Sequence, residues 1–291
     1  MRLNILFLIT FSFSQVASDY LYTTPESAGL AGSNVASEGG EFSLFHNPAG
    51  IVQQSTNVLV VGNSELFGFS FLPYQYLGFI LSNESESNIG LSYEKSSVSI
   101  GKNDLSKEES IGLTRAHFLQ KDKNSEFIIG YRLKILNWDL GKSAGISGDG
   151  SDGLNLGSAS TYGIDLGFQA VLRDKHRFGI ELKNINSPTI GMGVTNQYLP
   201  RRMVVGISYT PNTNIVTSFA LTRSIGLPLL VMGGFEYIYN SIITLRVGAQ
   251  SNPSRLGLGI TINKNNIKLN YAALSHHVMP VTHQFSLGYH F

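Results

Sequence analysis

The feature that most constrains the fold is an alternation of apolar residues with small or polar ones, which recurs from Asn57 to the end of the chain. In residues 255–262, "RLGLGITI", leucines and isoleucines occupy every second position and alternate with glycines and a threonine. Residues 161–172, "TYGIDLGFQAVL", repeat the pattern. Successive side chains of a strand point to opposite faces, so this period of two predicts strands that each have one apolar face.

Segment length and the rhythm of the connections indicate the kind of β protein. We count about fourteen segments of near 10 residues, the length of a tilted strand in a membrane barrel, whereas soluble strands average about 5–6 residues. Long predicted connections, such as residues 64–74 and 101–109, alternate with short ones, such as residues 83–87 and 173–175. Outer-membrane barrels combine long external loops with tight periplasmic turns. We therefore predict an all-β, transmembrane antiparallel barrel of about fourteen strands over residues 57–291, with a soluble β-sandwich as the alternative.

The amino terminus has the order of features that marks a secretory signal peptide, residues 1–18. Arg2 precedes the apolar run Leu3–Phe13, and small residues follow in "SQVAS". The run is too short to anchor the chain in a bilayer, and no other stretch approaches the ~20 apolar residues of a membrane helix. We predict cleavage near Ala17 or Ser18 and a mature chain in the outer membrane of a Gram-negative, Bacteroidota-like bacterium.

Composition argues against several classes of function. The net charge is +1 and no run rich in lysine or arginine is interleaved with aromatic residues, so we expect no nucleic-acid partner. The chain has no cysteine, which excludes disulfides, a thiol nucleophile and cysteine-ligated metals. No nucleophile, acid and base occur as a set, and no phosphate or dinucleotide motif is present, so we expect neither an enzyme nor a cofactor.

Two stretches contain residue types that bind metals, but neither has the spacing of a metal site. Four histidines are close in sequence near the carboxy terminus: His276, His277, His283 and His290. The first two point to opposite faces of an extended chain, so roles in a loop or at an interface are favoured. The loop around Asp152 lacks the spacing and the closing glutamate of a calcium loop. We expect no metal site.

Charged residues inside the predicted strands share one face, opposite the apolar one. They are Arg132, Lys134, Asp165, Glu181, Lys183, Glu236 and Arg246. A lysine or arginine that faces lipid at the bilayer midplane costs about 2–4 kcal/mol, so these side chains should line the lumen. Pairing with one another across the lumen is the favoured role, and a ring that selects a substrate is the alternative.

One apolar run lies in a predicted external loop. It contains Leu66, Phe67, Phe69 and Phe71. Exposed apolar surface marks a contact with a ligand, a partner or the membrane. An extension of the flanking strands above the membrane is the alternative.

The last predicted strand alternates aromatic and apolar residues up to the final position. These residues are Phe285, Leu287, Tyr289 and Phe291. A last strand that ends in an aromatic residue resembles the signature that barrel-assembly machinery reads in bacterial outer-membrane proteins.

Residues 28–50, "AGLAGSNVASEGGEFSLFHNPAG", precede the first predicted strand. The glycine-rich part predicts a loop, and "EFSLFHNPAG" predicts a short helix that Pro48 ends, because the residue before a proline is disfavoured in the helical region. We expect this piece, within residues 19–56, to enter the barrel as a hatch. The residues predicted to form the hatch are Phe42, Phe45, Asn47, Pro48, Ala49 and Gly50.

Several stretches resemble the PorV/PorQ branch of the FadL-like barrels. The opening resembles that branch's "A-x-G-G-x-x-V-A … N-P-A-G-L" pattern at Gly29, Gly32, Val35, Ala36, Asn47, Pro48, Ala49 and Gly50. Residues 165–188, residues 234–248 and the ending "THQFSLGYHF" resemble its central hairpin and its carboxy-terminal strands. The resemblance implies an outer-membrane barrel of about fourteen strands with an amino-terminal hatch.

The resemblance also implies two functions. PorV-type relatives serve type IX secretion, where the barrel receives the carboxy-terminal signal domain of a folded cargo and shuttles it to surface attachment. FadL-type relatives carry hydrophobic compounds inward through a gap in the wall. We expect a non-enzymatic component of type IX-like secretion and surface attachment, with secreted cargo proteins or other secretion components as partners. The alternative is a transporter of hydrophobic small molecules. Outer-membrane lipid and barrel-assembly machinery are expected partners in both cases.

Overall fold

The computed structural model describes residues 20–83, 87–100, 103–143, 145–148, 151–191 and 196–291. The predicted signal peptide, residues 1–18, lies outside the described residues. Among those that are described, fourteen strands pair into one closed antiparallel barrel, and two short strands form a separate hairpin. The prediction of an all-β membrane barrel with this number of strands is confirmed.

The barrel strands are β1 Val58–Glu65, β2 Pro73–Leu81, β3 Ser87–Ile100, β4 Asn103–Lys121, β5 Ser125–Asp139, β6 Ser158–Leu172, β7 His176–Lys183, β10 Arg202–Asn212, β11 Ile215–Ser224, β12 Leu230–Tyr239, β13 Ile243–Gln250, β14 Arg255–Lys264, β15 Ile267–Leu274 and β16 Thr282–His290. The separate hairpin, β8 Thr189–Ile190 and β9 Gln197–Tyr198, lies within the connection between β7 and β10.

The barrel closes because the first strand pairs with the last. Val58 lies opposite His290, and Glu65 lies opposite His283. The backbones of Asn57 and Phe291 exchange two further hydrogen bonds beyond the ends of these strands. Closure leaves no strand edge unpaired, which a sheet in lipid requires because no water is available to its backbone.

Exposure alternates along the strands and separates the two faces of the wall. In β1 the side chains of Val58 and Val60 are buried, whereas those of Leu59 and Val61 are exposed. Outward-facing leucines, isoleucines and aromatic residues form an apolar belt. A belt of this kind suits contact with lipid rather than with water. No helix among the described residues is long and apolar enough to cross a membrane.

The two ends of the barrel differ. The turn end has short connections and contains the junctions of the barrel with the rest of the chain, at Asn57 and Phe291; its connections include residues 82–86, 173–175 and 240–242. The opposite loop end has the connections 66–72, 140–157, 184–201 and 275–281.

The sequence predicted a loop over residues 101–109, and this is wrong. β3 and β4 pair as far as Ile100 and Asn103, so most of the predicted loop belongs to β4. The hairpin is polar, with Lys107 Nζ 2.9 Å from Glu109 Oε1 on its surface. Its polar composition indicated a loop, whereas the strands simply continue past the apolar belt.

Residues 20–53 form helix α1, Pro25–Gly29, and three 3-10 helices, Asn34–Ala36, Glu41–Leu44 and Pro48–Gln53. The prediction that Pro48 ends a short helix is wrong. That helix ends at Leu44, and Pro48 begins the next one, directly after the N-cap residue Asn47. Proline suits the first turn of a helix because that position needs no amide hydrogen.

This N-terminal segment, residues 20–53, lies inside the barrel. α1 contacts β13 to β16, residues 34–36 contact β7, β10 and β11, residues 41–44 contact β1 to β3, and residues 48–53 contact β3 to β6. A segment that touches the buried face of a closed wall on all sides lies within it. Tyr20 is next to Phe67 at the loop end, and the chain joins β1 at the turn end, so the segment passes through the lumen. Its role as a plug stays a prediction.

Candidate functional site in the barrel lumen

The inward-facing charges of β5, β6 and β7 form one group, which we name the charged cluster: Arg132, Lys134, Asp165, Glu181 and Lys183. The register of β5 and β6 places Arg132 directly opposite Asp165. Arg132 Nε donates to Asp165 Oδ2 at 2.9 Å, and Lys134 Nζ donates to the same oxygen at 3.0 Å. The backbone N–H of Asn184 donates to Oδ1 at 2.8 Å. One buried carboxylate therefore faces two cations.

Glu181 and Lys183 are less fully paired. Glu181 Oε1 lies 3.8 Å from a terminal nitrogen of Arg132, beyond hydrogen-bond distance. Lys183 is 5% exposed and lies opposite Arg202 in the register of β7 and β10. The carboxylate that acts on the charge of Lys183 is that of Glu181, which also faces Arg132.

The other two predicted lumen charges, Glu236 and Arg246, lie apart from the charged cluster. They face each other across β12 and β13, where Arg246 donates to Glu236 and to the hydroxyl of Thr261. Glu26 of α1 lies near the same arginine. Burial raises the pKa of the Glu26 carboxyl to about 7, against the attraction of Arg246. Sequence reasoning did not identify Glu26, because its position before the first strand does not reveal which face of the wall would enclose it.

The predicted hatch residues are buried. Phe42 and Phe45 are 3% and 2% exposed, and the ring of Phe45 lies 4.7 Å from that of Tyr76 on β2. Pro48, Ala49 and Gly50 are buried in the last 3-10 helix. These contacts attach the N-terminal segment to the wall through apolar surface.

Both the nitrogen and the oxygen of the Asn47 side-chain amide form hydrogen bonds. Its Nδ2 donates to the backbone oxygens of Val35 at 3.0 Å and of Phe168 at 3.1 Å, while its Oδ1 accepts from the N–H of Ala49 at 3.2 Å. Asn47 therefore caps the following helix, ties it to an earlier turn and attaches both to β6. An aspartate would lack the two donated hydrogen bonds, which explains the choice of asparagine.

Two glycines of the wall permit this close approach. A Cβ at Gly167 would lie 2.1 Å from Asn47 Oδ1, and a Cβ at Gly130 would lie 2.4 Å from the backbone nitrogen of Ala49. Neither distance is tolerable for a carbon atom. β5 and β6 thus need glycine where the Asn-Pro-Ala-Gly stretch touches them.

Glu41 joins the N-terminal segment to the last two strands. His290 Nε2 donates to one carboxylate oxygen at 2.9 Å, and Asn270 Nδ2 donates to the other at 3.1 Å. Lys268 Nζ lies 3.4 Å from the carboxylate. Burial alone would raise the pKa of Glu41, but the hydrogen bond from His290 and the charge of Lys268 outweigh it and lower the pKa. Sequence reasoning missed this site, since Glu41 and His290 are 249 positions apart.

Aromatic side chains of β2, of the N-terminal segment and of the loop end are buried together, where Tyr74 donates a hydrogen bond to Glu94 and Arg255 lies 5.1 Å from the ring of Tyr22. At the loop end we define the aromatic cluster as Tyr20, Tyr22, Phe67, Tyr74 and His276. The ring of Phe67 lies 5.3 Å from that of His276 and 6.4 Å from that of Tyr20. The backbone N–H of Phe67 donates to Thr282 Oγ1 at 2.8 Å. Phe67 has φ 56°, a left-handed conformation that is unusual for a bulky residue and that the surrounding contacts must hold.

The other residues of the predicted apolar loop have different surroundings. Leu66 is buried under the loop, at 3% exposure. The rings of Phe69 and Phe71 stack at 5.0 Å, and Phe71 is 46% exposed. The loop therefore presents one aromatic pair at the surface and one aromatic ring, that of Phe67, toward the lumen.

An apolar groove of about 660 Å³ lies in the wall at β1, β2 and β14 to β16. Phe285 and Leu287, from the predicted assembly signal, line it from the outward face. Tyr76 and Ser286 line it from the inward face, where both hydroxyls are buried and have no hydrogen-bond partner among the described residues. The groove thus reaches side chains of both faces of the wall.

The end of the chain lies at the turn end. Tyr289 and Phe291 are exposed, and the ring of Phe291 stacks with that of Phe79 at 6.2 Å and that of Tyr289 at 5.7 Å. The terminal aromatics of the predicted assembly signal therefore form a small outward-facing stack at the seam between β1 and β16.

The four carboxy-terminal histidines are dispersed. The rings of His276 and His277 lie 4.4 Å apart, His283 Nδ1 lies 2.8 Å from the hydroxyl of Tyr271, and His290 contacts Glu41. Within the residues that the structure describes, no group of three or more histidine or acidic side chains could hold a metal ion.

Comparison with known proteins relates the fold to that of solved structures. No family model matches the chain, and no curated protein matches it. The CymD monoaromatic hydrocarbon channel is 15% identical and superposes over 94% of this chain and 98% of its own, with a TM-score of 0.69. The Ralstonia pickettii toluene transporter TbuX is 14% identical over 93% and 99% of the two chains, with a TM-score of 0.66. The protein shares the fold of these channels.

A Pseudomonas aeruginosa FadL homologue has the same fold, at 12% identity over 92% of this chain and 98% of its own, with a TM-score of 0.56. At such identities the likeness establishes the fold and leaves the transported compound open. The FadL-type architecture that the sequence indicated is therefore supported. Membership of the PorV/PorQ branch stays a prediction.

Proposed function

We propose that the protein is an outer-membrane channel for hydrophobic small molecules, without catalytic activity, in which the N-terminal segment acts as the plug. The observation that carries the proposal is the run of buried aromatic residues from the aromatic cluster to Tyr76, which lies next to an apolar groove in the wall. The likeness to hydrocarbon channels over nearly the full length of the chain supports it. In this proposal the loop end faces the exterior and the turn end faces the periplasm, as in other outer-membrane barrels.

Entry is proposed at the aromatic cluster. Phe71 and Phe69 offer a stacked pair at the loop surface, and Phe67 leads from them to Tyr20 inside the lumen. Aromatic rings provide a large apolar contact area, which favours small uncharged ligands.

Exit is proposed through the wall at Tyr76. The ring of Tyr76 lies so close to Gly62 that a Cβ at that position would be 2.1 Å from the ring carbon Cζ. Gly62 and Ser286 are small residues on the inward face of the wall, and both line the groove. The ring of Tyr76 is therefore the principal side chain between lumen and groove. Its displacement, together with a local separation of the paired backbones of β1 and β2, would connect the lumen with lipid.

Uptake by intact cells tests the proposal. A Gram-negative host expresses the protein, and uptake of labelled toluene is measured at concentrations where the outer membrane limits the rate. We expect a severalfold loss of uptake with the combined changes Phe67→Ser, Phe69→Ser and Phe71→Ser, and a gain of uptake with Tyr76→Ala, which removes the ring between the lumen and the groove. Phe235→Ser is the matched control, because Phe235 is a lipid-facing aromatic residue of similar exposure to Phe71. Unchanged uptake in both route variants, at normal amounts of folded barrel, would contradict the proposal.

A second candidate is a component of type IX-like secretion and surface attachment. Exposed apolar side chains at the loop end favour it, because such surface suits a protein partner. They include Ile146, Leu154, Tyr198 and Val278. The PorV/PorQ resemblance at Asn47 to Gly50 also supports it. A photo-crosslinker placed at position 146 or 278 in the native host should then capture a secreted protein, and a lack of any cross-linked cargo would exclude this role.

A further inference from the structure

Two loops pack against each other at the loop end of the barrel. They are the first loop, residues 66–72, and the last loop, residues 275–281. A Cβ at Gly68 of the first loop would lie only 3.0 Å from the Cβ of Pro280 in the last loop. Each loop contributes one ring to the aromatic cluster, and these two rings lie 5.3 Å apart. Access to the aromatic cluster from the loop end therefore depends on the position of the two loops.

His276 stabilises the bend of the last loop. Its Nδ1 accepts hydrogen bonds from the backbone N–H of Val278 at 3.2 Å and of Met279 at 3.0 Å. A backbone N–H can only donate, so Nδ1 has a free lone pair and the imidazole ring of His276 is neutral in this arrangement. A proton on Nδ1 would turn the acceptor into a donor, which would break both hydrogen bonds at once.

The surroundings of His276 favour the same neutral form. Partial burial, the charge of Arg255 and the neighbouring ring of His277 lower the pKa of the His276 imidazole from its ordinary value of 6.5. Arg255 is the first residue of β14, and its guanidinium group lies over the ring of Tyr22 in the aromatic cluster. A proton on His276 would therefore add a second positive charge beside a cation that the cluster already contains.

The other titratable groups around the last loop are an outward-facing pair and two buried tyrosines. Glu65 lies opposite His283 on the outward face of the wall, and both side chains are exposed. Burial raises the pKa of Tyr20 to about 12 and that of Tyr22 further, so both phenol groups are neutral near pH 7. Among these described groups, none places a negative charge on the inward side, where His276 faces the aromatic cluster.

The closed arrangement of the last loop should therefore weaken in acid. Because the pKa of His276 is lowered in the closed arrangement, the stability from this group is fully present above pH 6.5 and is lost as the pH falls from 6.5 through the lowered value. The loss has a structural route, since the same proton removes the two hydrogen bonds that hold the bend.

We propose that protonation of His276 releases the last loop from the first loop, so that a mildly acidic exterior opens the loop-end entrance to the aromatic cluster. The entrance rests on the proposed function, in which the aromatic cluster is the point of entry. In the proposed orientation the last loop faces the exterior, so His276 responds to the pH of the medium and not to that of the periplasm.

Hydrogen exchange tests the release of the loop without any transport. The protein, purified in detergent, is compared at pH 5 and pH 8, and the exchange rates of residues 276–282 are corrected for the intrinsic effect of pH. We expect severalfold faster corrected exchange at pH 5 in the unmodified protein. Equal corrected rates at the two pH values would overturn the proposal.

Two variants identify the group that takes up the proton. His276→Asn keeps a hydrogen-bond acceptor at the δ position but takes up no proton, so it should remove the pH dependence. His277→Asn is the matched control, because it removes the neighbouring, exposed imidazole and should keep the pH dependence of the unmodified protein. A pH dependence that persists in His276→Asn would overturn the assignment to His276.

Uptake by intact cells connects the loop with the entrance. Labelled toluene is the probe, because it is uncharged at both pH values. We expect severalfold higher uptake at pH 5 than at pH 8 with the unmodified protein and with His277→Asn, and no such difference with His276→Asn. Equal uptake at the two pH values with the unmodified protein would overturn the proposed opening. If exchange depended on pH as expected but no uptake depended on the protein at either pH, the channel function would be wrong and the release of the loop would stand.

Discussion

The carboxylate of Glu41 accepts a hydrogen bond of 2.9 Å from Nε2 of His290, which joins the N-terminal segment to the last residue of the last strand. Asn270 and Lys268 on β15 complete the surroundings of the carboxylate. The side chain of Glu41 is 3% exposed, so these bonds are largely protected from water. The contact fixes the part of the N-terminal segment that lies nearest the turn-end seam of the barrel.

Replacement of Glu41 by glutamine is expected to loosen the N-terminal segment without opening the barrel. Glutamine has the same size but lacks the charge that His290 and Lys268 face, and hydrogen bonds to charged groups are worth about 1.5–3 kcal/mol. Amide exchange should become faster in residues 41–53 and stay unchanged in the strands. Glu38→Gln is the control, because Glu38 has an 80% exposed side chain and forms an ion pair with Arg177 at 3.5 Å. Equal exchange in both variants would contradict the anchoring role of Glu41.

Because the carboxyl group of Glu26 is buried, we predict that α1 opens more easily as the pH rises. Burial raises the pKa of its carboxyl from 4.5 to about 7. Because the pKa is raised in the folded state, the stability from this group is fully present below pH 4.5 and is lost as the pH rises through about 7. Exchange of the amides of residues 26–32, corrected for the intrinsic rate, should increase between pH 5 and pH 8, and Glu26→Gln should remove the increase.

Glu41 provides a control, because its pKa is shifted in the opposite direction to that of Glu26. Its pKa is lowered from 4.5, so its contribution is present above pH 4.5 and is lost as the pH falls through the lowered value. Residues 41–44 should therefore loosen in acid while residues 26–32 do not. If both regions changed with pH in the same direction, the assignment of these effects to the two carboxyl groups would be wrong.

The close contact between Gly167 and Asn47 allows a test of whether the N-terminal segment acts as a plug. A Cβ at Gly167 would lie 2.1 Å from Asn47 Oδ1, so Gly167→Ala should displace the last 3-10 helix from β6. We expect a larger ion conductance in planar bilayers, with unchanged heat-dependent migration of the barrel on gels. Gly233→Ala is the matched control, because the nearest atom to a Cβ at that position is 3.9 Å away. A conductance equal to that of the control would argue against the plug.

The wall of the barrel could be predicted from the sequence because its signal is local. The parity of a position decides whether its side chain faces lipid or lumen, so Asp165 could be assigned to the inner face from its neighbours Ile164 and Leu166 alone. The same rule placed Arg132 and Lys183 inside. Polar composition misled the prediction at residues 101–109, because strands that extend past the lipid lose the apolar alternation that identifies them.

The interior of the lumen could not be predicted because it depends on contacts between distant parts of the chain. The pairing of Arg132 with Asp165 requires the register of β5 and β6, which alternation does not fix. The partners of Glu41 are known only once the barrel closes and brings β15 and β16 to the N-terminal segment. Pro48 was read as the end of a helix because proline excludes the helical interior, although it is equally suited to the first turn.

Asp165 is expected to be the most sensitive position of the charged cluster. Asp165→Asn leaves Arg132 with the more distant Glu181 and leaves Lys134 without a carboxylate within ion-pair distance in the described chain. Removal of one partner of a buried ion pair costs about 3–5 kcal/mol. Urea unfolding in detergent, followed by the fluorescence of the single tryptophan, Trp138, measures the loss.

Two comparison variants show whether uncompensated charge causes that loss. Glu236→Gln breaks a pair whose side chains are 18% and 12% exposed, so a smaller loss is expected. Arg132→Met, Lys134→Met and Asp165→Leu together remove all three charges and should recover most of the stability, because a buried ion group can be replaced by apolar residues at little cost. If the combined variant were as unstable as Asp165→Asn, packing rather than charge would be responsible.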